Sequence, residues 1–151
     1  MTTSGGSGDA MSRDVQPGCN ASLPPSSATL NVNAAVAATS FTQSGGTLQG
    51  AGTFTVSGLY TWTGGVMSGS GVTQASGGLA LSGSNPRDVN GPRTLNNPAT
   101  ANWTGTGTLR IGNGGIVNNT GTFDCQNDST IIALLGTSTF TNSGTFRKST
   151  G

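Results

Sequence analysis

Arg110, Asp124 and Arg147 are the residues whose types and spacing come nearest to chemistry in this chain. Each follows the same short phrase: Gly107-Thr108-Leu109-Arg110-Ile111, Gly121-Thr122-Phe123-Asp124-Cys125 and Gly144-Thr145-Phe146-Arg147-Lys148. If the phrase marks equivalent strands, period-two alternation turns all three outward. They would then stack as an Arg–Asp–Arg column with Asp128 nearby. Such a column offers a carboxylate acid or base flanked by cations. It is more often an exposed ion pair of small energetic weight than a site. A second group, Arg87, Asp88 and Arg93, lies in a proline-bearing stretch, Ser84-Asn85-Pro86-Arg87-Asp88-Val89-Asn90-Gly91-Pro92-Arg93. That stretch reads as a loop bulging from the scaffold, and loops on rigid scaffolds carry function disproportionately. Arg87, Asp88, Arg93, Arg110, Asp124 and Arg147 together form the expected contact surface.

The rest of the composition removes most catalytic options. The chain has five Asp, five Arg and one Lys, with no Glu and no His, whereas acid–base catalysis leans on His, then on carboxylates or Lys of tuned pKa. Two cysteines more than a hundred residues apart cannot build a zinc site. No Gly-x-Ser-x-Gly elbow, phosphate loop or calcium loop occurs, and Gly50-Ala51-Gly52 and Gly69-Ser70-Gly71 lack a third glycine and a following helix. No catalytic, cofactor or metal residue is therefore assigned. A net charge of +1 supplies no field for nucleic acid or anionic lipid, and no apolar run is long enough to span a membrane. Cys125 reads as a small core hydrophobe rather than as the disulfide partner of Cys19.

What must position these residues is a repeat. An apolar residue, two variable positions, Ser or Thr, then Gly recurs at Phe41–Gly45, Tyr60–Gly64, Leu79–Gly83, Ala101–Gly105, Val117–Gly121 and Phe140–Gly144. The glycines stand 19, 19, 22, 16 and 23 residues apart. A period near 20 with strand-like residues inside it predicts a solenoid whose coils stack on one another. Gln43–Gly58 aligns without gaps on Trp62–Gly77, keeping Gly-Gly, then Gly-x-Gly, then Ser-Gly in order. The glycines mark corners, where the chain needs positive φ or close backbone approach. Gly, Ser, Thr and Asn supply 81 of 151 residues, yet Thr, Val, Ile, Phe and Trp recur at spaced positions, which argues against disorder. Asn119 and Asn142 share one place in the repeat and would begin an asparagine ladder. The fold class expected is all-β: a right-handed parallel β-helix, the hand following the bias of parallel connections, with about six coils of ~20 residues. Residues 1–27 read as a disordered leader, tag or linker, and 28–151 as the solenoid, a fragment of a longer array.

At segments such as Gly45-Gly46-Thr47-Leu48-Gln49-Gly50-Ala51-Gly52-Thr53-Phe54 and Thr139-Phe140-Thr141-Asn142-Ser143-Gly144-Thr145-Phe146 the chain resembles the repetitive bacterial surface proteins, adhesin-like or autotransporter-passenger-like, that form parallel β-helices. The resemblance implies a non-catalytic structural or adhesive module, extracellular or cell-surface, with a glycan or surface as ligand and end-to-end self-association as a further partner mode. Nucleic acid and membrane insertion are not expected. No export signal is visible between Met1 and Pro25. Three alternatives stand beside this reading. Thr-x-Thr pairs at 53/55, 61/63, 106/108 and 137/139 suggest ice binding, the Asp and Arg column a polysaccharide-acting enzyme, and the open repeat a self-assembling fibre.

Overall fold

A computed structural model describes residues 19–25 and 27–151; of the leader expected at residues 1–27, residues 1–18 and 26 lie outside them. The described chain is all-β, without a helix, and its strands form three parallel sheets. Sheet A contains β1 (Asn20–Leu23), β4 (Ser40–Gln43), β7 (Tyr60–Trp62), β10 (Leu79–Leu81), β13 (Thr100–Trp103), β16 (Thr122–Cys125) and β19 (Thr145–Lys148). Sheet B contains β2 (Thr29–Asn31), β5 (Thr47–Gln49), β8 (Gly65–Met67), β11 (Arg87–Asn90), β14 (Leu109–Gly112) and β17 (Ile131–Ala133). Sheet C contains β3 (Val36–Ala38), β6 (Thr53–Val56), β9 (Val72–Ala75), β12 (Thr94–Asn97), β15 (Gly115–Asn119) and β18 (Ser138–Asn142). Each coil runs A, B, C and climbs one rung, so the described chain makes six coils and the first strand of a seventh. This is a three-sided β-solenoid.

Alternation sorts each strand into inward and outward residues. In sheet A the inward columns are Phe41–Tyr60–Leu79–Ala101–Phe123 and Gln43–Trp62–Leu81–Trp103–Cys125. In sheet B, Leu30, Leu48, Met67, Val89 and Ile111 form a third column, and all five are buried. Rings interlock along the axis, with Phe41 edge-on to Phe54 at 4.8 Å and to Tyr60 at 5.1 Å, a geometry that adds to area burial. Among the inward columns of sheet A, Gln43 is the buried amide. It accepts from Tyr60 Oη at 2.5 Å and donates to the Val66 carbonyl at 3.1 Å, so a buried amide stays satisfied. Burial raises the Tyr60 phenol well above its ordinary pKa.

The corners show why glycine recurs. At the B–C corner Gly50 has φ 113° and Gly69 φ 79°, and Asn113 takes the left-handed place one coil above Gly91 with φ 51°; Asn is the residue that best tolerates that region. At the C–A corner a Cβ on Gly121 would stand 2.0 Å from the Ala99 carbonyl oxygen, so the coils can close up only without a side chain there.

Three expectations change. The Φ-x-x-Ser/Thr-Gly phrase is not one column: Phe41, Tyr60, Leu79 and Ala101 stack in sheet A, whereas Val117 and Phe140 stack in sheet C. The same short phrase suits any strand that enters a tight corner, so it recurs on different sides of the prism. The odd 16-residue step was a jump between sheets. Residues 84–98 are no projecting loop, because β11 and β12 lie within them and pair on both sides. Prolines 86, 92 and 98 fall at corners, outside the strands, where no ladder N–H is required. The solenoid also starts earlier than residue 28, since β1 at Asn20–Leu23 pairs in register with β4. The reading of Cys125 as a small core hydrophobe holds: Cys19 and Cys125 are both free and lie five rungs apart in the stack. Five rungs of about 4.7–4.9 Å exceed the ~7 Å Cα limit of a disulfide. Cys125 packs against the core, half-buried.

Candidate functional site

The expected charged surface divides into three separate places. Arg87 and Arg93 are inside, each 0% exposed. Arg87 enters the core above Gly65 and beneath Leu109. Its guanidinium donates to the carbonyls of Ser82 at 2.8 Å, Asn85 at 3.3 Å and Gly107 at 2.7 Å, all in the A–B corners of coils four and five. Arg93 stands over Gly71, whose added Cβ would lie 3.0 Å from Arg93 Nη1. It donates to Thr73 Oγ1 at 2.9 and 3.2 Å and to the Gly50 and Ser68 carbonyls at 3.3 Å. Neither has a carboxylate partner among the described residues. Burial pulls Arg87 down to about 10 and lowers Arg93. These two side chains are internal clamps and present no surface.

The other four make two ion pairs on different faces. Arg110 lies above Asp88 on the outside of sheet B and binds it through two bonds, 2.6 and 2.8 Å. Asp124 and Arg147 stack on the outside of sheet A, at 2.8 Å. The single Arg110–Asp124–Arg147 column does not form, because the Gly-Thr-Φ-x-Φ phrases that carry them belong to different sheets. The Arg147 guanidinium and then the Gln126 amide hold the Asp124 carboxyl down at about 2. Asp128 pairs with Lys148. The Thr-x-Thr pairs scatter likewise. Thr61 is on sheet A and Thr53/Thr55 on sheet C, while Thr106 lies at an A–B corner and Thr137 at a B–C corner. They form no continuous array.

Sheet C is different. Its outward columns are Thr53–Val72–Thr94–Ile116–Thr139 and Thr55–Gln74–Asn96–Asn118–Thr141, with no charged residue in either. The second column is joined rung to rung: Asn96 Nδ2 donates to Gln74 Oε1 at 2.9 Å and Asn118 Nδ2 to Asn96 Oδ1 at 3.0 Å. Just inside it runs a column of opposite polarity, buried at Asn97 and Asn119 and exposed at Asn142. Asn97 Nδ2 donates to Asn119 Oδ1 at 2.7 Å, and Asn119 Nδ2 to Asn142 Oδ1 at 2.6 Å. The inner amides also bond backbone carbonyls, Asn97 to Thr122, Asn119 to Gly121 and Thr145, and Asn142 to Gly144. The asparagine ladder expected at Asn119 and Asn142 is therefore present, and it begins one coil lower than expected.

Along this double ladder runs a shallow groove of about 310 Å³, floored by the outward column Gln74, Asn96, Asn118 and Thr141 and flanked by Pro98, Asn119, Thr120 and Ser143. Sequence reading missed it by placing Asn96 and Asn97 in a loop. The signal was there: Asn96-Asn97 and Asn118-Asn119 stand 22 residues apart, and Thr141-Asn142 follows 23 later. Among the described residues no group of three His, Cys, Asp or Glu side chains gathers to hold a metal ion. Chemically the groove can donate and accept hydrogen bonds on a rigid, uncharged track. Fold and site together define a β-solenoid with an amide-floored groove along one side. No protein-family model, curated protein or solved structure matches the chain, so the site is read from its own geometry.

Proposed function

We propose that the chain is a non-catalytic adhesive or structural module of a protein exported to the bacterial cell surface, binding through the outer side of sheet C. One observation carries the reading: across five rungs this side exposes Thr, Asn, Gln, Val and Ile on a frame of continuous parallel ladders, without a charge. A ladder that spans every coil gives a stiff support. Ligands met on such a support lose little to loop ordering. The carboxylates Asp88, Asp124 and Asp128 are each tied to a cation, which supports binding over acid–base chemistry. The test is adherence. Beads carrying the purified chain are expected to adhere to polysaccharide-coated surfaces and to cells. Thr94→Lys and Asn96→Lys are expected to abolish adherence, and Asp88→Asn with Arg110→Gln to leave it intact. Beads that never adhere, or that adhere equally with the lysine variants, would sink the proposal.

A further inference from the structure

We infer that the groove over Gln74, Asn96 and Asn118 binds one strand of a neutral, hydroxyl-rich oligosaccharide lying along the solenoid axis; this rests on the proposed adhesive reading and names its ligand class. A side-chain amide carries two N–H donors and a carbonyl oxygen with two lone pairs. Within the outer column Asn96 spends one donor on Gln74 and one lone pair on Asn118. One donor and one lone pair remain for the groove. Gln74 keeps both donors, and Asn118 keeps its whole oxygen, among the described residues. Every rung therefore offers a donor and an acceptor side by side, at a repeat of about 4.7–4.9 Å. That pairing suits a hydroxyl, which both gives and takes a hydrogen bond. An anion would call for donors alone and a cation for acceptors alone, and no charged side chain lines the groove.

The inner column is what makes the outer one a template. Asn97 and Asn119 are buried, at 1% and 0% exposure, and their Nδ2 groups are held by the next amide above and by backbone carbonyls. The floor cannot reorganise to fill its own valences, so the free ones stay directed outward. Pro98 lines the groove and offers apolar carbon against which the C–H face of a sugar ring can pack. The four rungs from Gln74 to Thr141 span about 14 Å, and a pyranose ring is roughly one rung long, so three to four sugar units fill the track.

The experiment is isothermal titration of the described protein with neutral oligosaccharides of two to six units, built on glucose, xylose, mannose, galactose or N-acetylglucosamine, beside uronic-acid oligomers of equal length. At least one neutral series is expected to bind, with affinity rising to about four units and then levelling as the rungs fill. Asn118→Ala and Asn118→Asp are expected to weaken that binding about tenfold or more, the cost of a lost donor to a bound hydroxyl. Asn102→Ala, on the outside of sheet A, should leave it unchanged, and melting curves check that each variant folds. No binding by any neutral series at millimolar concentration, tighter binding of the uronic acids, or equal binding by the Asn118 variants overturns the inference. Adherent beads that soluble neutral oligosaccharide fails to displace would reject this ligand while leaving the adhesive reading standing; beads that never adhere would reject the reading itself.

Discussion

From Cys19 to Pro86 the chain carries no charged residue, and from Arg87 to Lys148 it carries eight. The same boundary divides the coil size. Phe41, Tyr60 and Leu79 follow one another at 19 residues, and Leu79, Ala101 and Phe123 at 22. Nearly all of the difference sits in the A–B corner. Thr63 and Gly64 join Trp62 to β8, whereas five residues, Ser82 to Pro86, join Leu81 to β11. A longer corner brings more backbone carbonyls to the edge of the core, and each needs a donor. Arg87, with five N–H donors on one planar fork, meets them at the first wide corner. The C–A corner makes a parallel exchange. Its inward column reads Ala38–Val56–Ala75 in the early coils and Asn97–Asn119–Asn142 in the later ones. The narrow coils close by packing small residues, and the wide coils by buried polar clamps.

That contrast can be broken most severely at the clamp. Arg87→Ala is expected to lower unfolding free energy by about 3 kcal/mol or more, since it leaves three carbonyls unpaired and opens a cavity; urea denaturation measures it. Arg93→Ala should follow closely, as the Thr73 hydroxyl and the Gly50 and Ser68 carbonyls lose their donor.

Next is the inner amide column. Asn119→Ala should cost about 2 kcal/mol, because Asn97 and Asn142 both lose a bond to it. The reverse exchange sharpens the comparison. Asn97 Oδ1 is buried without a partner, and Ala75 occupies the same column one coil below. Ala75→Asn can extend the ladder downward and should destabilise far less than Val56→Asn, which buries an amide away from any ladder; paired thermal melts decide this.

A smaller effect is expected in acid. Asp124 is held at about 2 by Arg147 and Gln126, below the ordinary 3.8. A depressed carboxylate stabilises fully above its unfolded value and loses that contribution as pH falls through its folded one. The melting temperature should therefore decline from about pH 4 toward pH 2, and Asp124→Asn should flatten part of that slope. The smallest effect is at Lys148, whose pair with Asp128 is exposed on both sides. Lys148→Ala should change stability by less than about 0.5 kcal/mol.

Much of the architecture was legible from the residues. Gly-Gly and Gly-x-Gly at a spacing of 19 located the corners of coils two and three, and the pairings of Leu48 with Met67 and Thr47 with Val66 hold in the structure. The later coils were harder. Their wide A–B corners shift every following residue by three, so phrases that look alike, such as Val117–Gly121 and Tyr60–Gly64, belong to different sheets. The candidate site suffered from the same shift. Pro92 and Pro98 made Arg93 to Asn97 look like loop, although the prolines only mark its corners.

Composition and period by themselves determine a stack of parallel coils, because a 20-residue unit rich in β-branched residues and glycine can bury its apolar side only against another copy of itself. They also determine that charge is scarce. Which side a residue faces was decided by the folded stack alone. Alternation assigns inside from outside only once the strand is aligned with its neighbours, and that alignment depends on corner length, a property of three-dimensional closure. The same guanidinium is a surface charge or an internal clamp, and the same asparagine a loop residue or a groove floor, according to a register that only neighbouring coils set.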